Sequence, residues 1–252
     1  MKKFEKYIRN RFRDLARNIR AYDKTREAEI LHDVRVTIKR LKAVIFLIGQ
    51  HNGKFKGHKE FTPLREIFRE AGDIRQPEVM FQLLLKYHIK DIPRDSFLDP
   101  DRNAIEEFTS HIPGFIETCK RSEDRLLRAA RKIDHKDIIN TVEKTEKRLT
   151  KALTSRIKFE LIHKTRKVMK QLIYLSEIHG DLKKKKRIFF DSLQELIGSV
   201  HDKQMLMIVL KKPATAKHRK LLKDLSSALE NDKRSISEMC NAFYKTSTIV
   251  IE

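Results

Sequence analysis

Apolar residues recur every three or four positions through most of this chain, the period of an α-helix that buries one stripe. Phe4, Ile8, Leu15, Ile19 and Tyr22 share a face and predict a first helix over residues 2–23. A second is expected over about 26–48, with Val34, Ile38, Leu41, Ile45 and Ile48 on its apolar side. Gly49, Asn52, Gly53 and Gly57 then mark a loop. Pro63 suits the start of a third helix reaching about Ala71, with Gly72 closing it and a short helix over 78–87 behind it. Residues 89–102, with Pro93 and Pro100, read as a connector. A long helical stretch over 103–132 is expected to break or kink at Pro113-Gly114. Further helical stretches cover about 136–155, 156–179, 182–197, 203–211, 214–230 and 233–246, and residues 246–252 are expected to fray. The fold class is all-α, in agreement with only seven Gly and six Pro in 252 residues.

The pattern repeats. Leu31-His32-Asp33-Val34-Arg35-Val36-Thr37-Ile38-Lys39-Arg40-Leu41 is echoed 131 residues later by Ile162-His163-Lys164-Thr165-Arg166-Lys167-Val168-Met169-Lys170-Gln171-Leu172. Gly72 pairs with Gly198 at an offset of 126, so the intervening loop is five residues shorter in the second copy. A His-x-x-basic-x-x-x-basic spacing is expected by chance roughly half a time in such a chain, so the shared register and the glycine pair carry the argument. We therefore expect one module over 1–252, with repeat halves of about 1–134 and 135–252.

Charge gives these helices a second face. With His32 at zero on a helical wheel, Arg35, Lys39 and Lys42 fall at roughly 300°, 340° and 280°, while the apolar positions cluster near 200°. Arg40 lies further round. In the second copy His163, Arg166 and Lys170 take the same places, and Ile173 replaces the third cation. On the first helix Lys2, Lys6, Arg9, Arg13, Arg17, Arg20 and Lys24 all fall within about 80° of one another, opposite the apolar face. That ladder is about 33 Å long, and no acid lies in the stripe. Like charges at these spacings destabilise a helix, and a merely solvated face more often mixes signs. A linear anion is the better account.

Composition fits an anionic partner: 56 Lys+Arg against 35 Asp+Glu give a net charge of +21. At 40% hydrophobic the chain can bury a core. The longest apolar run, Ala43 to Ile48, is too short to span a membrane, and the first residues lack a signal-peptide core. Cys119 and Cys240 form no disulfide framework. A cytoplasmic protein is expected.

The motifs resemble those of the CHAD family, the conserved histidine α-helical domain. The resemblance rests on the His32 segment through Lys42, on Ala71-Gly72-Asp73-Ile74-Arg75, on His163-x-x-Arg166-x-x-x-Lys170 with Tyr174, and on Ile197-Gly198-Ser199-Val200-His201-Asp202. It implies two pseudo-symmetric four-helix bundles with a basic central groove, inorganic polyphosphate as ligand, and an association with polyphosphate granules. His32, Arg35, Lys39, Arg40, Lys42, His163, Arg166 and Lys170 would line that groove. To these we add Arg75 and His201 from the glycine motifs and Arg13, Arg17 and Arg20 from the ladder. Gln76-Pro77-Glu78 departs from the family pattern in the first half and Ile173 in the second, where it weakens the expected site. The Glu-x-Glu-x-Lys pattern of the CYTH-type domains fused to many relatives is absent, so no catalysis is expected from that source.

Three rival readings are open to these residues. A metal site would need His32, His163, His201 and Asp202 to converge over long range within a cationic surround, so none is expected. Nucleic-acid backbone binding is the serious alternative, yet no aromatic is interleaved in the stripes to stack bases. As for an enzyme, Gly49–Lys54 has glycines one residue too close for a phosphate loop and follows no strand. A binding protein without cofactor or catalytic residues is the expectation. The run Lys183–Arg187 reads as a solvated helix start.

Overall fold

The structure is a computed structural model that describes residues 2–89, 102–153, 162–179, 184–211 and 216–248. Eight helices are described: α1 Lys2–Thr25, α2 Ala28–His51, α3 Gly57–Lys86, α4 Arg102–Ala130, α5 His135–Ala152, α6 Ile162–His179, α7 Lys184–Leu210 and α8 Ala216–Thr248. No strand occurs among the described residues. The chain divides into two compact units, Met1–Thr141 and Val142–Glu252.

In the first unit α1 packs on α2 and α4, and α3 packs on the same two. The four helices therefore form a square in the order α1, α2, α3, α4. Phe4, Ile8, Phe12, Leu15, Ile19 and Tyr22 of α1 are all buried. Each such burial is worth about 1.5–3 kcal/mol, against about 0.2–0.5 kcal/mol lost per like-charged pair on the opposite face. The core thus holds α1 helical despite its ladder. At the far end His51 ties α2 to the start of α5. Its Nδ1 lies 3.0 Å from Asp137 Oδ1 and its Nε2 2.7 Å from Thr141 Oγ1. Asp134 and Asp137 cap the helix reciprocally, each side chain accepting the other's backbone N–H.

In the second unit α7 packs on α6 and α8. Phe189 stacks on Phe243 at 4.4 Å, and Lys203 bridges α7 to Asp232 of α8.

The structure joins elements that the sequence reading divides. α3 is one helix of 30 residues containing Pro63, Gly72 and Pro77. α4 runs unbroken through Pro113-Gly114. The stretches 182–197 and 203–211 are one helix, as are 214–230 and 233–246 within α8. The reason is phase: Leu64, Ile67, Ala71 and Ile74 continue one buried stripe through Gly72, and Phe108, Ile112, Phe115 and Cys119 continue one past Pro113. Pro113 is exposed, so water can serve the carbonyl that loses its donor. Most of the expected connector (90–101 of 89–102) and residues 249–252 of the expected frayed end lie outside the described residues, as do 154–161, 180–183 and 212–215, while residues 246–248 continue α8.

Candidate anion-binding faces

The α2 cations face α3. Arg35 crosses to it and donates from Nη1 to the carbonyl oxygen of Phe68 at 2.6 Å, while its guanidinium lies 3.9 Å over the Phe68 ring. This contact explains Gly72. A Cβ there would overlap Arg35 Nη1 and lie 2.8 Å from Cζ. The glycine is needed for a close approach, not as a helix stop. Lys39 sits 5.7 Å from the same ring and Lys42 sits 4.9 Å from that of Phe61. Arg75, one turn past Gly72, reaches back to Glu29 at 3.6 Å. His32 is half-buried among these cations. Burial, with help from Arg75 and Lys39, pushes its imidazole below the usual pKa. Burial and Arg75 also lower the Arg35 guanidinium. Arg40 is half-buried on the same helix and Lys42 is exposed.

The α6–α7 pair repeats this arrangement locally. Arg166 donates from Nε to the Gln194 carbonyl oxygen at 3.3 Å. A Cβ at Gly198 would lie 3.2 Å from its Nη2. Phe68 and Gln194 stand four residues before Gly72 and Gly198 respectively, so both arginines meet the carbonyl one turn before the glycine. His163 packs edge-on against His201 at 5.4 Å, where the first unit has His32 near Arg75. Burial, then His201 and Arg166, push His163 down. Lys170 is half-buried, and burial together with Arg166 lowers it. Burial lowers Arg166 as well, opposed by Asp202. Ile173, in the place of Lys42, is buried. His201 is exposed, with Nδ1 3.6 Å from Asp202.

The α1 ladder lies elsewhere in the first unit. Lys2, Lys6, Arg9, Arg13, Arg17, Arg20 and Lys24 are all exposed. Its inner edge borders α4: Arg9 is 3.8 Å from Glu123, and the charge of Arg20 is felt at Cys119. In the square of helices the α1–α4 edge is opposite the α2–α3 edge. Arg13, Arg17 and Arg20 are therefore not brought together with His32, Arg35, Lys39 and Lys42. Nor is the ladder wholly free of acids, since Asp14 reaches Arg17 at 3.2 Å and Glu123 reaches Arg9.

Sequence reasoning missed Phe61 and Phe68. No aromatic stands in the cationic stripes, but α3 lays two beneath them, and cations already cover both rings. The signal was present: Phe68 stands one turn before Gly72 on the same helix. The expected loop after α2 is shorter than its glycines suggest, because Gly49 and His51 belong to α2 and Gly57 opens α3, and no strand precedes it. Burial pushes the Cys119 thiol up to about 12 and Cys240 up to about 11, so both are protonated at neutral pH. No group of three or more His, Cys, Asp and Glu suited to a metal occurs among the described residues. No described helix is long and apolar enough to cross a membrane.

Comparison with protein families returns the CHAD domain, matched over residues 6–211. No curated protein matches the chain.

Proposed function

The chain belongs to the CHAD family, and from that premise we propose that it binds inorganic polyphosphate through the α2–α3 and α6–α7 faces. His32, Lys39, Arg40, Lys42 and Arg75 would supply the contacts in the first unit, and His163, Lys170 and His201 those in the second. The observation that carries this reading is the crowding of like charges on partly buried faces. Burial, and after it the neighbouring cations, hold His32, His163 and Lys170 below their usual pKa values. Such crowding costs free energy in the unliganded protein, and a polyanion would reverse its sign. Arg35 and Arg166 do a different job: each anchors its helix to the next. The ligand meets the outer cations, which the arginines position.

The test is binding of long-chain polyphosphate by the full chain. Lys39→Ala/Lys42→Ala should weaken binding roughly tenfold, at about 0.5–1.5 kcal/mol per contact, and reduce its salt dependence. His163 should titrate at higher pH once the ligand is bound, read by NMR. Unchanged affinity and salt dependence in the double variant would overturn the reading. Arg35→Ala is the poorer probe, because it also removes the tie to α3.

A further inference from the structure

The α1 ladder lies outside the faces assigned above. Seven cations run the length of α1, all exposed, on the edge of the first unit opposite the α2–α3 edge. Between the ladder and α4 opens a cleft of about 400 Å³, lined by Lys2, Lys6, Arg9 and Arg13 with Glu5 and Glu123. Burial raises the Glu123 carboxyl, and Arg9 opposes that shift.

We infer that this α1–α4 edge is a second anion-binding surface, whose partner is the phosphate backbone of duplex nucleic acid, bound without base readout.

Three observations select that partner. The ladder's cations are exposed ends of long side chains. The α2–α3 cations, in contrast, are held against rings and a carbonyl. Exposed cations in line along one helix suit a rigid polyanion that brings its own order, because less chain entropy is lost on binding than with a flexible one. The middle of the ladder is Arg9, Arg13, Arg17 and Arg20, whose planar forks match phosphate oxygens. The edge offers no exposed ring for base stacking: Phe4, Phe12 and Tyr22 are buried. A membrane surface is disfavoured by the same burial. Every apolar face residue of α1 is committed to the core, which leaves nothing to enter a bilayer.

The experiment uses the full chain and a fluorescein-labelled 20-base-pair DNA duplex, with anisotropy measured across a salt series. Arg13→Ala/Arg17→Ala/Arg20→Ala should weaken duplex binding at least tenfold. It should also lower the slope of log affinity on log salt by about 2.7, at about 0.9 per phosphate contact, and leave most polyphosphate affinity intact. The matching triple Lys variant should keep most of the slope, which separates lost charge from lost fold. Lys39→Ala/Lys42→Ala should show the reverse pattern, with polyphosphate binding impaired and duplex binding kept. If the α1 triple Ala variant binds the duplex with unchanged slope, the inference fails. It fails too if that variant loses polyphosphate but not duplex binding, or if it loses binding only to anionic vesicles or to an acidic peptide. Failure of Lys39→Ala/Lys42→Ala to impair polyphosphate binding would overturn the polyphosphate assignment of the α2–α3 face and leave the duplex-binding edge standing.

Discussion

In α2–α3 the arginine lies between a backbone carbonyl and a phenylalanine ring; at the matching place in α6–α7 it meets a carbonyl whose residue is a glutamine. The first guanidinium is pressed so close to Gly72 that no side chain fits, whereas the second leaves 3.2 Å at Gly198. A third cation, Lys42, extends the first stripe, and a buried Ile173 ends the second. The motif alone reads the same in both copies. What differs is how firmly the next helix holds the arginine, and so how firmly the outer cations are placed.

The sharpest way to break this comparison is at the glycines. Gly72→Ala should expel Arg35, with loss of a charged hydrogen bond worth about 1.5–3 kcal/mol and a cation–π contact worth about 0.5–2 kcal/mol. About 1 kcal/mol of helix propensity returns. A net loss of about 2 kcal/mol should lower the thermal midpoint by roughly 4–8 °C, followed by circular dichroism. Gly198→Ala needs a shift of only a few tenths of an ångström, and the propensity gain offsets it. Its midpoint should move by less than about 4 °C. Equal effects would mean that the two contacts are alike after all.

A smaller effect is expected at the ring. Phe68→Leu keeps apolar bulk but removes the π face, and should destabilise by about 1 kcal/mol. Gln194→Leu should be near neutral, because Arg166 uses only its backbone oxygen. Paired urea titrations of the two variants check this.

The smallest effect is in pH. His32 and His163 have lowered pKa values in the folded chain, so between those values and the ordinary value near 6.5 the unfolded chain binds more protons. The associated stability is fully present above about pH 6.5 and is lost as pH falls through that window. Urea midpoints of the unliganded protein should fall from pH 7 to pH 5, less so in His32→Gln/His163→Gln. Saturating polyphosphate should flatten or reverse the trend. A steeper fall with ligand bound would contradict proton uptake on binding.

Much of this was legible in sequence. The apolar period located every described helix, and the two His segments marked the helices that carry paired arginines. Gly72 and Gly198 were visible as a pair but misread as helix ends. A glycine's usual cost in a helix interior makes it look like a stop, and nothing local reveals an arginine arriving from 37 residues earlier. The same limit hid Phe68, whose meaning depends on which helix packs against α3. The ladder's spacing was plain, yet which edge of the bundle it occupies is a property of packing order, to which one helix's period is silent.

The glycine contact also fixes how α2 and α3 slide. Neighbouring turns of α3 offer side chains where Gly72 offers none, and one residue of slippage moves a helix by about 1.5 Å. Displacement by one turn, about 5.4 Å, would bring Phe68 or Gln76 to the height where Arg35 needs a bare backbone. The bare turn thus acts as a detent: it admits one vertical alignment of the two helices and sets the height of every cation along α2 from a single point.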